Sequence, residues 1–223
     1  MRILIVGANG RTGRLSVSEA ISRGHTVTAL VRNPSSLKPQ IGLTIVKGSP
    51  LDASSIEDAF KATDTTDQPA AVIIALNSSR ASDNPFSKST SPPRFLAESV
   101  TNILAAMENH GVSKLVYTSA FGVGASAPNM PLFLRLLVRY STMGVAYEDH
   151  EEVDEVVKKS KSNWILVRPV VMTDKEKQTV KCLENEGQGV GMLTTITRAS
   201  VAAFLVDAAE SDKWNRTAPV IAN

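Results

Sequence analysis

The stretch Arg2-Ile-Leu-Ile-Val-Gly-Ala-Asn-Gly-Arg-Thr-Gly13 decides how the rest of the chain is read. Arg2–Val6 is a short apolar run of the kind that forms a strand covered on both faces. Gly7-Ala-Asn-Gly10-Arg-Thr-Gly13 follows at once. A helix-like segment then runs to Arg23, Gly24 stops it, and a second apolar run occupies Thr26–Val31. Strand, glycine turn, helix and strand in that order predict a βαβ unit. The spacing is G-x-x-G-x-x-G rather than the commoner G-x-G-x-x-G, but the mechanics carry over. Gly7 permits a tight turn, Gly10 lets backbone N–H groups approach a pyrophosphate, and Gly13 lets the helix pack on the strand. The helix N-terminus adds partial positive charge where phosphates would lie. A glycine turn by itself also fits a strand–helix corner without a ligand; its place between two buried-type strands favours a dinucleotide.

The end of the second strand sharpens this. A cofactor with a free ribose 2′-hydroxyl usually meets Asp or Glu there, whereas a 2′-phosphate calls for a cation. The chain reads Leu30-Val-Arg-Asn-Pro-Ser35, with no acid. Arg32 offers a planar fork of donors to a phosphate, with Arg11 and Ser35 placed to assist. Against a merely solvated arginine, this favours NADPH/NADP+ as the cofactor.

The 223 residues suit one α/β domain, 1–223, and 43% hydrophobic with 21% charged residues is ordinary for a globular chain. A net charge of +2 with scattered basic residues is no nucleic-acid signature. Cys182 is the sole cysteine, so neither a disulfide framework nor a cysteine metal site is expected. Met1 leads straight into the first strand, which leaves no room for a targeting peptide, and no apolar run is long enough for a bilayer; a cytoplasmic protein is expected.

Further along, the pattern predicts a short helix or turn at 35–38, a third strand at Leu43–Lys47, and a helix at 53–62 with Asp52 as its N-cap. Residues 70–76, almost wholly apolar, predict a central fourth strand. Residues 77–93, rich in Ser, Pro and Asn, make a loop too long for an idle connection; leaving the carboxyl end of a central strand, it is the first candidate for substrate and nicotinamide contacts. A helix at 94–110, a fifth strand at Lys114–Thr118, an apolar helix at 131–143, an acidic-then-basic helix at 146–160 and a sixth strand at 164–168 follow. The 131–143 helix reads as core or dimer packing rather than a membrane-surface element, since it lacks a basic face; a lid over an apolar substrate is the other reading. Residues 175–191 are polar and suggest no function. An amphipathic helix at 197–211 and a last strand at 218–222 complete the chain. The alternation predicts an α/β, doubly wound, mainly parallel sheet of six or seven strands.

The motifs Gly7–Gly13, Val31-Arg32-Asn33, Tyr117-Thr-Ser119-Ala-Phe121 and Trp164-Ile-Leu-Val-Arg168-Pro169, in that order, resemble the atypical short-chain dehydrogenase/reductases. Within them the chain is similar to the NAD(P)H-binding, NmrA-like branch and to the biliverdin-IXβ reductase/flavin reductase type. The resemblance extends to Asn102–Met107 and to Ile196-Thr-Arg-Ala-Ser200. It implies a Rossmann-type monomer or homodimer that reduces flavins, bilins, quinones or related aromatic acceptors with NADPH, although some members are sensors or isomerases. Carried onto this sequence, it implies a cofactor envelope of Gly7, Asn9, Gly10, Arg11, Thr12, Gly13, Arg32, Ser35, Leu51, Asp52, Leu76, Asn77, Ser78, Thr118, Ser119, Pro169 and Val170.

The departures carry information too. Ordinary members use Tyr-x-x-x-Lys; here Tyr147 is followed at that distance by Glu151, so the dyad is absent. His150 occupies the position where many atypical relatives carry lysine. It is either a ribose ligand or proton source, or an exposed histidine among Asp149, Glu151 and Glu152. The histidine of bilin reductases after the sixth strand is replaced by Val170-Val171, and a family acid is replaced by Ser49. Ser119, at the carboxyl end of the fifth strand, is the leading catalytic candidate, as a hydrogen-bond donor to a carbonyl or to a proton-delivering water; a simple strand-end cap is the alternative. With no triad to activate it, covalent catalysis is not expected. The sequence therefore points to an NADPH-dependent oxidoreductase for a conjugated small molecule. An NADP(H)-sensing regulator and a redox-neutral isomerase or dehydratase stand as alternatives.

Overall fold

The computed structural model describes residues 1–62, 68–79, 81–82, 84 and 86–223. Its first strand, β1 (Arg2–Val6), is buried throughout. Ile3 and Ile5 point into one hydrophobic layer, Leu4 and Val6 into the other, the period-two alternation of a strand. The chain continues as α1 (Arg11–Ser22), β2 (Thr26–Val31), β3 (Leu43–Lys47), α2 (Ala53–Lys61), β4 (Ala71–Ile74), α3 (Phe95–Asn109) and β5 (Lys114–Thr118). Then come α4 (Leu132–Arg139), α5 (Met143–Lys159), β6 (Asn163–Pro169), β7 (Val171–Thr173), β8 (Lys181–Leu183), β9 (Thr195–Thr197), α6 (Arg198–Glu210) and β10 (Val220–Ala222).

The central sheet has the order β3-β2-β1-β4-β5-β6-β10-β8. Every pairing is parallel except β8 on β10. Helices α1 and α6 cover one face, and α2, α3 and α5 the other, which is the doubly wound Rossmann-type architecture. The strand order reverses between β1 and β4, so a crevice opens beyond their carboxyl ends.

Three features depart from the sequence reading. The sheet gains an eighth strand, β8, within the polar 175–191 segment, and β7 pairs with β9 in a separate two-stranded sheet. Three-residue strands are too short to show a period. The apolar helix is shorter than expected: it stops at Arg139, and α5 begins at Met143. Helix α4 buries none of its residues, so it is not core. Finally, α6 is enclosed rather than amphipathic, with Val201, Ala202, Ala203, Phe204, Leu205, Val206, Ala208 and Ala209 all buried; α1, β4 and β5 pack against it, and Trp214 covers Phe204. Of the 77–93 loop, residues 80, 83 and 85 lie outside the described residues.

The helix α3 begins without a cap of its own. Arg94 precedes it in a left-handed conformation, φ 56°. Asp149 on α5 supplies the acceptors instead, taking the N–H of Leu96 at 2.8 Å and of Ala97 at 2.9 Å. This joins two helices through a buried carboxylate at a positive helix end. Asp149→Ala strands two buried donors, and a loss of about 3 kcal/mol is expected; urea unfolding at neutral pH measures it, and a loss below about 1 kcal/mol would show the cap to be dispensable.

Candidate functional site

The glycine corner lies at the switch point between β1 and β4. A Cβ on Gly7, whose φ is +84°, would lie 2.5 Å from the Ala75 carbonyl oxygen, and one on Gly13 would lie 2.1 Å from the Gly7 carbonyl oxygen. Neither position admits a side chain. Gly10 N–H donates to Gly7 O at 2.9 Å, and Gly10 is the N-cap of α1, with no side-chain cap and no acid in the first turn. The helix end is thereby left to its backbone donors and positive dipole.

A cavity of about 390 Å³ opens from this corner, its lining including Gly10, Arg11, Thr12, Leu76, Asn77, Ser78, Ser79, Ser82, Thr118, Ser119, His150, Met172 and Arg198. A second of about 550 Å³ adjoins it and shares Arg11, Asn77, Ser78, Ser119, Ala120, His150, Met172 and Arg198. Its remaining wall is largely apolar: Phe121, Met130, Leu134, Leu137, Val138, Met143, Ala146, Pro169, Val170 and Val171, with Tyr147. Leu134, Leu137 and Val138 come from α4, so that helix roofs the second cavity. A third, more open groove of about 820 Å³ lies elsewhere, against α1 and α6, between Arg23, Cys182 and Trp214, and shares no residue with the other two.

Where the two cavities meet, the polar groups are unusual. Among the described residues, Ser119 Oγ and Thr118 Oγ1 are buried with no hydrogen-bond partner, a costly arrangement unless a ligand completes it. Ser119 N–H is fixed by Val167 O at 2.7 Å, which holds the residue at the end of β5. His150 is 5% exposed, so it is not the solvated histidine its acidic neighbours suggest. Its Nδ1 lies 2.7 Å from the Tyr117 hydroxyl. Burial raises the Tyr117 pKa well above its ordinary value, with the Asp149 charge adding to it, and lowers that of His150 to about 4. Both are neutral at pH 7. The buried Tyr117 hydroxyl has no other acceptor among the described residues, so satisfying it requires that it donate to Nδ1, which places the imidazole proton on Nε2. His150 is therefore a neutral N–H donor and no proton source near neutrality.

Tyr147 faces the second cavity, but its hydroxyl donates to Phe121 O at 3.2 Å, and burial raises its pKa to about 12. Glu151, where lysine would complete a dyad, accepts the Gly124 N–H at 2.9 and 3.0 Å. Arg168, fully buried, reaches Asp154 at 2.8 Å and Glu186 at 2.9 Å. The polar 175–191 segment thus has a structural part, since Glu186 braces β6 behind the site.

The other sequence candidates divide by position. Asn9 accepts from Arg14 Nε at 3.0 Å, and Arg14 also donates to Ser36 O at 3.1 Å. Arg14 was not singled out by the motif, although it lies on the first turn of α1; it clasps the glycine corner to the 34–36 turn. Arg32 is exposed at the end of β2 and has no ion-pair partner among the described residues. Ser35 donates its hydroxyl to Asn33 Oδ1 at 2.8 Å. Arg32, Ser35, Leu51 and Asp52 line neither adjoining cavity. Asp52 caps α2, bonding Ser54 and Ser55, which hold its carboxyl below the usual range; its acceptors are committed to the helix rather than open to an adenosine. Pro169 and Val170 belong to the apolar cavity.

The glycine cradle, the uncapped helix end and the two orphaned hydroxyls fit a dinucleotide. Sequence comparison agrees: the NAD(P)H-binding family profile matches residues 7–212. The chain belongs to the NAD(P)H-binding family. Among solved structures, ChuY, an anaerobillin reductase from Escherichia coli O157:H7, superposes with a TM-score of 0.78 at 17% identity, covering 99% of this chain and 96% of that one. A wide-type short-chain dehydrogenase/reductase from Veillonella parvula, in complex with NADP, gives 0.78 at 15% identity, covering 100% and 94%. These share the fold, in keeping with the atypical short-chain dehydrogenase/reductase resemblance. Photosystem II assembly factor Ycf39 from Synechocystis sp. is 30% identical over 134 residues, 59% of this chain and 37% of that protein. The chain spans about a third of the length of the curated relatives it matches. No helix among the described residues is long and apolar enough to cross a membrane.

The buried histidine sets a pH dependence. Between about pH 6.5 and 4 the unfolded chain binds a proton that folded His150 refuses, so stability is full above pH 6.5 and falls as the pH drops. At pH 5 this amounts to about 2 kcal/mol. His150→Gln is expected to lose about that much less than the parent between pH 7 and pH 5 in urea unfolding; equal losses would show a solvated imidazole.

Proposed function

We propose that the protein is an NADPH-dependent reductase that passes hydride to a conjugated, largely apolar small molecule of the flavin, quinone, bilin or aromatic-metabolite kind. The observation that carries this is the meeting of a phosphate-cradling cavity with an apolar one at Ser119 and His150. Bound NADPH would supply the hydride chemistry. The chain's own groups do the rest. The Gly7–Gly13 corner and the α1 N-terminus hold the pyrophosphate, while Arg32, with Arg14 nearby, meets the 2′-phosphate that no acid at the end of β2 would oppose. Thr118 and Ser119 hydroxyls and the His150 Nε2–H are donors at the junction, placed to orient a carboxamide, a ribose or an acceptor carbonyl. Helix α4 keeps water from the apolar cavity.

Tyr117, Tyr147 and His150 hold no releasable proton near neutrality. This favours an acceptor whose reduced form is stabilised by conjugation and takes its proton from water, over a simple ketone that needs a general acid.

Purified protein mixed with NADPH and a panel of flavins and quinones is expected to oxidise the nicotinamide, followed at its absorbance band. Tight NADPH binding without oxidation by any acceptor would replace this reading with nucleotide sensing or a redox-neutral isomerisation. Arg32→Ala is expected to weaken NADPH about tenfold and NADH less than twofold by fluorescence titration, the scale of one charge-assisted contact; equal weakening would sink the 2′-phosphate assignment. Activity is expected to show no inflection from His150 between pH 6 and 8.

A further inference from the structure

Arg198 opens α6 directly after β9 and lines both cavities where they meet. Its side chain is 12% exposed, and Nη1 donates to Asp174 at 2.7 Å. Among the described residues, Nε and Nη2 have no protein partner. Asp174 is itself 64% exposed and lies 3.7 Å from Arg11 as well. Among the described residues, no acidic side chain lines either cavity. A half-used guanidinium fork, largely withdrawn from water, thus stands at the edge of an apolar chamber.

We propose that the acceptor carries a carboxylate and that Arg198 receives it. This rests on the reductase reading above and narrows it to acidic conjugated molecules. A planar fork with two open donors matches the two oxygens of a carboxylate, and such pairs are stronger than neutral hydrogen bonds. The apolar wall from Phe121, Met130 and α4 takes the conjugated body. The anion then fixes which end of that body lies against Ser119 and His150. A neutral acceptor of the same shape leaves the guanidinium's open donors unanswered and loses that orientation.

The test uses protein saturated with NADP+ and two probes, a 2-methyl-1,4-naphthoquinone bearing a 3-propionic acid arm and its methyl ester. Calorimetry is expected to show the acid binding at least tenfold more tightly than the ester. Arg198→Met abolishes that ratio and Arg198→Lys keeps part of it, a pattern that a merely structural arginine does not produce. Equal affinity for acid and ester, failure of both to bind, or a parallel loss of NADPH and acid affinity in Arg198→Met overturns the assignment. Turnover with NADPH is measured separately. Selective binding of the acid without turnover upholds the carboxylate site and removes the reductase reading.

Discussion

Everything at the cofactor end depends on backbone meeting backbone at the glycine corner. With a Cβ excluded from Gly13 by the Gly7 carbonyl and from Gly7 by the Ala75 carbonyl, α1 sits closer to the sheet than any side chain would allow. That approach aims the helix end at the crevice between β1 and β4. A shift of one methyl group there would move the anion site away from the hydroxyls of Thr118 and Ser119. Close packing admits no partial compromise at such a point.

The substrate end depends on a different device, one turn and a half of α5. Asp149 caps α3, His150 takes the hydroxyl of Tyr117, Glu151 holds the Gly124 N–H, and Asp154 pairs with Arg168. Four residues of one helix therefore fasten α3, β5, the 122–124 loop and β6 around a single cleft. The same bonds explain why a catalytic Tyr–Lys dyad is missing. The position that would hold lysine is a structural acceptor, and the tyrosine before it already donates to Phe121 O. The site has exchanged titratable chemistry for fixed dipoles.

Much of this fold was legible in the sequence. Arg2–Val6, Thr26–Val31, Leu43–Lys47 and Lys114–Thr118 form strands with the expected limits, because continuous apolar runs bounded by glycine or polar turns have few other homes. Gly7, Gly10 and Gly13 sit at a strand–helix corner as their spacing suggests. Less was legible at the reacting end. The parts played by Asp149 and Glu151 were not legible, since their partners are the backbone N–H groups of residues 96, 97 and 124, far away in sequence. The burial of His150 goes with its contact to Tyr117 on β5, which no local pattern encodes. The short strands β7, β8 and β9 exist through their neighbours, and Arg14 becomes visible only once the 34–36 turn comes within its reach.

Helix α4 lends this cleft an uneven stiffness. Its floor is the end of a parallel sheet, buried on both faces, while its roof is eight residues of which none is fully buried. The free energy of lifting α4 alone is drawn from the low end of the molecule's range of local openings. The bulk of whatever occupies the cleft is consequently limited by the rigid floor at Ser119, Phe121 and Val170, while the roof is the softer side. Related chains with the same floor and a different roof would accept bodies of different thickness while holding the reacting edge at one depth.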